Sequence, residues 1–317
     1  MQATPLSDRL GIALQARPGQ TLADLDPPLV QDAFRKHGAV LLRGFSGDTD
    51  GFKAFTDRLC HDYSDYSGGG MRVGILNRQA IGNDPTLMTV TGHTQGFSMA
   101  LHGEMYYLRK RPRILWFYCQ TPPADGHGQT TVCDGAELWA ALPPEVQSYF
   151  QQNRLAYHRH LADGAWQTTF FCEDLEQARA LAAAQCDHVQ VDLQERWLET
   201  REVFPATLEG PDGRPVYINS MASAWDAEWA FESGWIQQNL GEGVAPRCPM
   251  VVRTEAGERI PRAIREEVER VAESLTVEVN WQAGDVLMVD NAWMMHGRRQ
   301  ARDKNRSILI RMGEPRF

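Results

Sequence analysis

Short, strongly apolar segments separated by turns dominate the pattern of this chain. Apolar runs of strand length predict β-strands at 39–45, 87–91, 114–119, 286–290 and 306–311. Apolar positions at helical spacing predict helices at 52–61, 144–153, 175–186 and 261–275. A Gly-Pro-Asp-Gly turn signal at 210–213 separates two further extended segments.

This alternation predicts a mainly β protein with peripheral helices. Strands interrupted by separated helices fit a double-stranded β-helix, or jelly-roll, core better than a βαβ repeat. The chain has no internal repeat and no stretch typical of an interdomain linker, so residues 1–317 are expected to form a single domain. A partly helical insertion is expected at about 155–265.

Composition narrows the class of protein. In 317 residues with 43% apolar content there is enough material for a large core, and no apolar run is long enough to span a membrane. Residues 1–21 are polar and carry no signal-peptide pattern, and the six cysteines form no CxxC pair, which favours reduced thiols and a cytoplasmic setting. A net charge of −9 argues against nucleic acid as a partner.

The candidate chemistry lies in two separated motifs. His102 and Glu104 are two residues apart in a segment predicted to be extended, so their side chains are expected to share one face. With nine histidines and 41 acidic residues in 317, about one such His-x-acid tripeptide is expected by chance. The context adds weight, because a buried strand at 286–290 leads to His296 and then to Arg306. Two histidines and one carboxylate form the facial triad typical of non-haem Fe(II) oxygenases, and an arginine suits a dicarboxylate cosubstrate.

These motifs resemble those of the taurine dioxygenase superfamily. Within it the chain looks most like the clavaminate synthase branch, which includes hydroxylases of peptide-antibiotic pathways and in which glutamate replaces the commoner aspartate. The resemblance covers about 39–312 and rests on LHGEMYYL at 101–108, PRILWFYC at 112–119, GQTTVCD at 128–134, GDVLMVDN at 284–291, HGR at 296–298 and RSILI at 306–310.

The resemblance implies the composition of the site. His102, Glu104 and His296 would bind Fe(II), while Thr130 and Arg306 would bind 2-oxoglutarate. With O2, such enzymes convert 2-oxoglutarate to succinate and CO2 and oxidise an unactivated C–H bond of a small molecule. Hydroxylation is the default outcome, and desaturation or cyclisation are the alternatives.

The substrate implied is an amino acid or an amino-acid-derived small molecule, free or tethered to a carrier protein. For a tethered substrate, the basic segment 109–113 is the candidate docking surface, with a solvated loop as the competing interpretation. Some relatives bind substrate with an arginine four residues after the cosubstrate arginine, but here that position is Ile310 and the next arginine is Arg311. The candidate substrate-binding residues are Asn77, Arg78, His93, Asn219 and Arg311.

The same candidate ligands are also compatible with a second class of enzyme. A cupin-like metal-dependent hydrolase or isomerase would use the same ligands to activate water. It would need no dicarboxylate anchor, so the role of Arg306 distinguishes the two classes.

Overall fold

The described part of the chain folds as four β-sheets with helices packed around them. The computed structural model describes residues 1–69, 78–90, 97–235, 238 and 247–317. In chain order the strands are β1 (Gln2–Pro5), β2 (Ile12–Gln15), β3 (Ala39–Arg43), β4 (Cys60–His61), β5 (Ala80–Ile81), β6 (Asp84–Thr89), β7 (Met99–His102), β8 (Ile114–Thr121), β9 (Thr130–Asp134), β10 (Leu155–Leu161), β11 (His188–Asp192), β12 (Trp197–Phe204), β13 (Thr207–Glu209), β14 (Pro215–Tyr217), β15 (Met250–Thr254), β16 (Val277–Val279), β17 (Val286–Asp290), β18 (Met294–Arg298) and β19 (Ser307–Pro315).

The helices surround these sheets and follow the connections between strands. A 3₁₀ turn covers Leu22–Asp24. The α-helices are α1 (Pro27–His37), α2 (Thr49–Asp57), α3 (Gly135–Ala141), α4 (Pro144–Gln152), α5 (Ala165–Phe170), α6 (Leu175–Ala183), α7 (Met221–Glu232) and α8 (Arg262–Leu275).

Two of the sheets form the core of the fold. The major sheet has the strand order β1-β2-β3-β17-β8-β19-β6-β5, with β4 paired to β19, and the minor sheet has the order β16-β9-β18-β7. The inward-facing residues Leu115 and Phe117 of the major sheet belong to one buried cluster with Val132 and Cys133 of the minor sheet. The two sheets therefore share one hydrophobic core, as in a jelly roll.

The outer face of the major sheet is also buried. Trp116 and Tyr118 alternate with the inward residues of β8 and pack against Phe52 and Phe55 of α2. Burial on both faces explains why β3, β8 and β17 are continuous apolar runs rather than alternating ones.

A third sheet lies between the two site motifs in sequence. It has the strand order β11-β12-β10-β15, and α5 and α6 pack on it through a separate small cluster that includes Trp166 and Leu198. The fourth sheet is the hairpin of β13 and β14, which encloses the predicted turn at 210–213.

The mainly β architecture with a jelly-roll core is confirmed, and most predicted elements occur within a few residues of their predicted ends. One helix was placed wrongly: α2 ends at Asp57, and Cys60–His61 forms β4 instead of the end of that helix. All six cysteines are free thiols, as expected. Within the described ranges, no helix combines the length and the apolar character needed to cross a bilayer.

Candidate active site

Three side chains with metal-binding atoms converge on the minor sheet. His102 ends β7 and His296 lies in β18, where the two are paired across the strands and their rings are 4.4 Å apart. Glu104 follows two residues after His102, with its Oε2 at 3.4 Å from Nε2 of His296. One potential ligand atom from each residue lies within 4.8 Å of the others, and all three residues are buried. Two imidazoles and one carboxylate are a donor set that fits a divalent transition metal.

Glu104 reaches this site from a turn and not from a strand. The prediction of a continuous strand through Glu104 was wrong, because β7 ends at His102 and Met105 has a left-handed φ of 61°. The side chain of Asn291 fixes the turn: its Oδ1 accepts from the amide of Glu104 at 2.7 Å, and its Nδ2 donates to the carbonyls of Glu104 and Pro112 at 3.0 and 2.8 Å. The distant motif at 284–291 thus positions the carboxylate of the first motif.

Two glycines beside the candidate ligands are required by close packing. A Cβ atom at Gly103 would lie 2.4 Å from the ring of Tyr106 and 2.8 Å from Ile218. A Cβ atom at Gly297 would lie 2.5 Å from the carbonyl oxygen of Met99. The glycine that follows each histidine therefore lets neighbouring segments approach the site closely.

The carboxylate of Glu104 is held on both oxygens. Tyr66 donates its hydroxyl to Oε1, and Arg78 pairs with Oε2 at 2.9 Å while its guanidinium lies over the Tyr66 ring. Burial alone would raise the pKa of Glu104, but Arg78, His296 and His102 lower it well below its ordinary value. Glu104 is therefore an anion in the folded protein. Arg78, predicted to contact substrate, is instead bound to the candidate metal ligand.

His102 is held in the tautomer that a metal site needs. Burial, and then the neighbouring His296, lowers the pKa of His102 to about 4, so the ring is neutral. Its Nδ1 lies 2.8 Å from the carbonyl oxygen of Ala100, which can only accept, so Nδ1 carries the proton. This leaves the lone pair of Nε2 available to a metal.

Two buried arginines, Arg298 and Arg306, interact with each other electrostatically, and the first of them lies on the strand of His296. Arg298 follows His296 by two residues on β18 and is paired with Thr130 of β9, so all three side chains are on one face. Arg306 precedes β19 and is buried, and its Nε and Nη1 have no hydrogen-bond partner in the described residues. Burial, and then the charge of Arg298, lowers the pKa of Arg306 to about 10. One hydroxyl and two guanidiniums are a donor set that suits a carboxylate.

Arg298 was not predicted to be part of the site. Burial lowers its pKa to about 10, and its Nη2 donates to the carbonyl of Phe97 at 3.1 Å. The sequence did contain a signal for Arg298. Alternate residues of a strand point to the same face, and Arg298 follows His296 by two positions, as Glu104 follows His102.

Two predicted substrate residues are not supported by the structure. Arg311 points to the outer face of the major sheet, where it pairs with Asp57 at 2.9 Å, because odd and even positions of β19 face opposite sides. Asn219 donates to the carbonyl of Ala206 at 3.0 Å and accepts from the amide of Met221 at 2.9 Å, so backbone contacts occupy its side chain. The other two candidates, Asn77 and His93, lie outside the described residues.

A largely apolar cavity opens onto the candidate ligands. Among the described residues that line it, the carboxylates are those of Glu104 and of Asp226 on α7. The cavity is lined by Tyr66, Phe97, Ser98, Met99, Ala100, His102, Glu104, Met105, Tyr107, Ser223, Asp226, Ala227, Trp229, Ala230, Trp235 and Met250.

A buried arginine contacts one of the residues that line this cavity. Arg159 of β10 is 2% exposed, and its guanidinium lies 5.2 Å from the ring centroid of Tyr107. Its cross-strand neighbour on β15 is Met250, which lines the cavity as Tyr107 does, whereas Arg159 itself lines a second cavity together with His158 and His160. Its Nη1 donates to the carbonyl of Gly68 at 2.9 Å, while Nε and Nη2 have no hydrogen-bond partner in the described residues. Neither Arg159 nor Asp226 was predicted, since both lie in the weakly patterned stretch between the two motifs.

Comparison with known proteins assigns the class. The model of the taurine catabolism dioxygenase TauD, TfdA family matches residues 2–312. The chain belongs to this family and is an Fe(II)- and 2-oxoglutarate-dependent dioxygenase, with O2 as the second cosubstrate. The hydrolase or isomerase alternative is therefore not retained.

Similar proteins support the same assignment. A clavaminate synthase-like protein of Arabidopsis thaliana is 27% identical over 285 residues, covering 83% of this chain and 77% of that protein. The dapdiamide synthesis protein DdaC of Enterobacter agglomerans is 23% identical over 296 residues, covering 90% and 85%. The crystal structure of PvcB from Pseudomonas aeruginosa has the same fold, with a TM-score of 0.58 at 15% identity over 99% of this chain and 91% of that one.

Proposed function

We propose that His102, Glu104 and His296 bind Fe(II), and that Arg306, Arg298 and Thr130 bind 2-oxoglutarate. The observations that carry this assignment are the three-donor set and the buried guanidinium of Arg306, whose Nε and Nη1 have no hydrogen-bond partner among the described residues. A buried cation without a partner is costly, and a carboxylate supplied by the cosubstrate offsets that cost.

Each side chain has a defined task in this proposal. Bound iron, 2-oxoglutarate and O2 supply the oxidant, and succinate and CO2 are the coproducts. Tyr66 and Arg78 orient the carboxylate of Glu104, and the Ala100 carbonyl orients the ring of His102. The apolar cavity wall excludes bulk water and holds the substrate beside the metal.

The proposed substrate is an amino acid or an amino-acid-derived small molecule of specialised metabolism, such as an antibiotic pathway. One similar protein is named for dapdiamide synthesis, and a solved structure with this fold is described as an oxygenase from an isonitrile synthetic pathway. Oxidation of an unactivated C–H bond, by default hydroxylation, is the proposed reaction.

The contacts of the basic segment 109–113 favour a free substrate over one tethered to a carrier protein. Arg109 pairs with Asp187, Arg111 lies over the Tyr106 ring at 4.3 Å, and Arg113 pairs with Asp290 at 2.6 Å. Internal contacts thus occupy the arginines that would face an acidic carrier.

A free amino acid also needs a cation for its carboxylate. Arg78 and Arg311 are paired with Glu104 and Asp57 and are not available. Among the described residues, Nε and Nη2 of Arg159 have no hydrogen-bond partner, and its guanidinium lies near the ring of Tyr107, which lines the cavity. We therefore assign Arg159 as the anchor of the substrate carboxylate.

The assignment is tested by anaerobic titration of the metal-free protein with Fe(II) and 2-oxoglutarate, followed by the visible charge-transfer band of the chelate. The band is expected for the wild type and for Arg302→Ala, an exposed arginine of the same loop. Arg306→Ala should require at least about tenfold more 2-oxoglutarate, the cost of one charge-assisted contact. An unchanged requirement would place the anchor elsewhere, and absence of the band with metal bound would refute the site.

A further inference from the structure

One carboxylate in the cavity has no task in the iron and 2-oxoglutarate sites. Asp226 of α7 lines the cavity together with His102 and Glu104. Among the described residues its hydrogen bonding is limited to Oδ2, which accepts from the amide of Ala100 at a long 3.3 Å. No lysine or arginine of those residues forms an ion pair with it, and the neighbouring Arg265 is paired with Glu269 at 2.9 Å.

Burial makes an ionised Asp226 unfavourable in the protein without a ligand. Burial raises the pKa of Asp226 to about 6, although the amide of Ala100 opposes the rise. The group is still ionised at pH 8. An anion in an apolar cavity is stabilised when a ligand brings the opposite charge, and an anionic ligand group would be repelled.

The aromatic residues beside Asp226 suit the same kind of ligand. Trp229 lies three residues later on α7, and the ring of Phe97 contacts Trp229 and Trp235 with centroid distances of 6.0 and 4.4 Å. All three rings line the cavity. Aromatic faces attract cations, most strongly where water is excluded.

We propose that Asp226 binds a positively charged nitrogen of the substrate, an ammonium or guanidinium group, among these aromatic rings. The inference rests on the proposed function and narrows its substrate class to molecules that carry a cationic nitrogen. Because Asp226 contacts β7 two residues before His102, the charged nitrogen is held along the cavity wall that carries this candidate iron ligand.

The test uses pairs of probes that differ in one charged nitrogen: lysine and norleucine, arginine and citrulline, norleucine and hexanoate. Binding of each probe to the protein with Fe(II) and 2-oxoglutarate is followed anaerobically at pH 8 through the change in the charge-transfer band. The variants are Asp226→Asn, which keeps the shape of the side chain, and Glu232→Gln, a matched change on the same helix whose partner is Arg259.

In at least one pair the cationic probe should bind the wild type about tenfold more tightly or better. Asp226→Asn should lose this preference while forming the band normally, and Glu232→Gln should keep it. The proposal is overturned if no pair shows a preference, including the case in which no probe binds, or if the preference persists in Asp226→Asn. A wild type that forms no band with 2-oxoglutarate overturns the proposed function itself, and this inference with it.

Discussion

At the scale of single residues, some of the buried charges near Glu104 are paired with an opposite charge and others are not. Arg78 balances Glu104 in the metal-free protein, and both are almost fully buried. Arg159 and Arg306 are further buried cations, and each has guanidinium nitrogens without a hydrogen-bond partner among the described residues. Buried charges without a partner destabilise a fold unless a ligand supplies the opposite charge. Such charges therefore mark a functional site.

The first prediction concerns Arg78. Arg78→Met should destabilise the metal-free protein by about 3–5 kcal/mol, because it leaves the carboxylate of Glu104 buried without its cation. Fe(II) should recover much of this loss, since the metal supplies positive charge to the same carboxylate. Urea unfolding with and without metal measures both effects. In Arg111→Met, which removes an arginine stacked on Tyr106, the loss should be smaller and independent of metal. Equal losses in Arg78→Met with and without metal would contradict this account.

The second prediction concerns Arg159. If two of its nitrogens await a substrate carboxylate, Arg159→Met should leave the melting temperature unchanged or raised, because it removes unsatisfied buried donors. The KM for an amino-acid substrate should rise about tenfold or more, as for a lost charge-assisted contact. Steady-state kinetics and thermal unfolding measure the two effects. A lowered melting temperature with an unaltered KM would show that the residue only supports the fold.

At the scale of elements, the site depends on how a strand ends. β7 delivers His102 by pairing with β18, but Glu104 comes from the following turn, which Asn291 holds through three hydrogen bonds. The connection between β17 and β18 therefore sets the distance between the carboxylate and the two imidazoles.

Asn291→Ala should weaken Fe(II) binding about 10- to 100-fold, the usual effect of losing a residue that orients a metal ligand. It should also destabilise the metal-free protein by about 1–3 kcal/mol, because the buried amide of Glu104 loses its acceptor. Competition with a chromophoric chelator measures the affinity. Asn153→Ala removes an asparagine that bonds the end of α4, and it should leave Fe(II) affinity unchanged. The same affinity in Asn291→Ala and wild type would remove Asn291 from the metal site.

The sequence was a good guide where local pattern decides the structure. The buried strands β3, β8 and β17 are continuous apolar runs and the helix α8 has apolar positions at helical spacing, so their positions followed from polarity alone. The end of β7 did not, because a left-handed Met105 and a side chain 187 residues away from Glu104 determine it. The ion pair of Arg78 with Glu104 was missed for the same reason, since no periodicity links two residues that are 26 positions apart.

That residues 1–317 form a single domain stays a prediction.

At the scale of the whole molecule, the proposed 2-oxoglutarate site takes residues from the two sheets of the jelly roll. Thr130, His296 and Arg298 belong to the minor sheet, while Arg306 leads into β19 of the major sheet. A dicarboxylate that bridges the metal and Arg306 therefore links both layers of the core. Its negative charge would also offset the burial of Arg306 and the repulsion by Arg298, which in that order lower the pKa of Arg306.

The joint stabilisation of the two sheets is measurable as a ligand-dependent melting temperature. At about 100 times its Kd, a ligand that binds only the folded protein stabilises it by about 2.7 kcal/mol, or roughly 4 °C for a chain of this size. With Mn(II) present and O2 excluded, 2-oxoglutarate should produce such a shift in the wild type, and little shift without metal. Arg306→Met should lose the shift due to 2-oxoglutarate but keep the shift due to Mn(II), because the metal ligands lie in and beside the minor sheet alone. If Arg306→Met also abolished the Mn(II) shift, the metal site would depend on the major sheet, and the two pockets would form one cooperative unit.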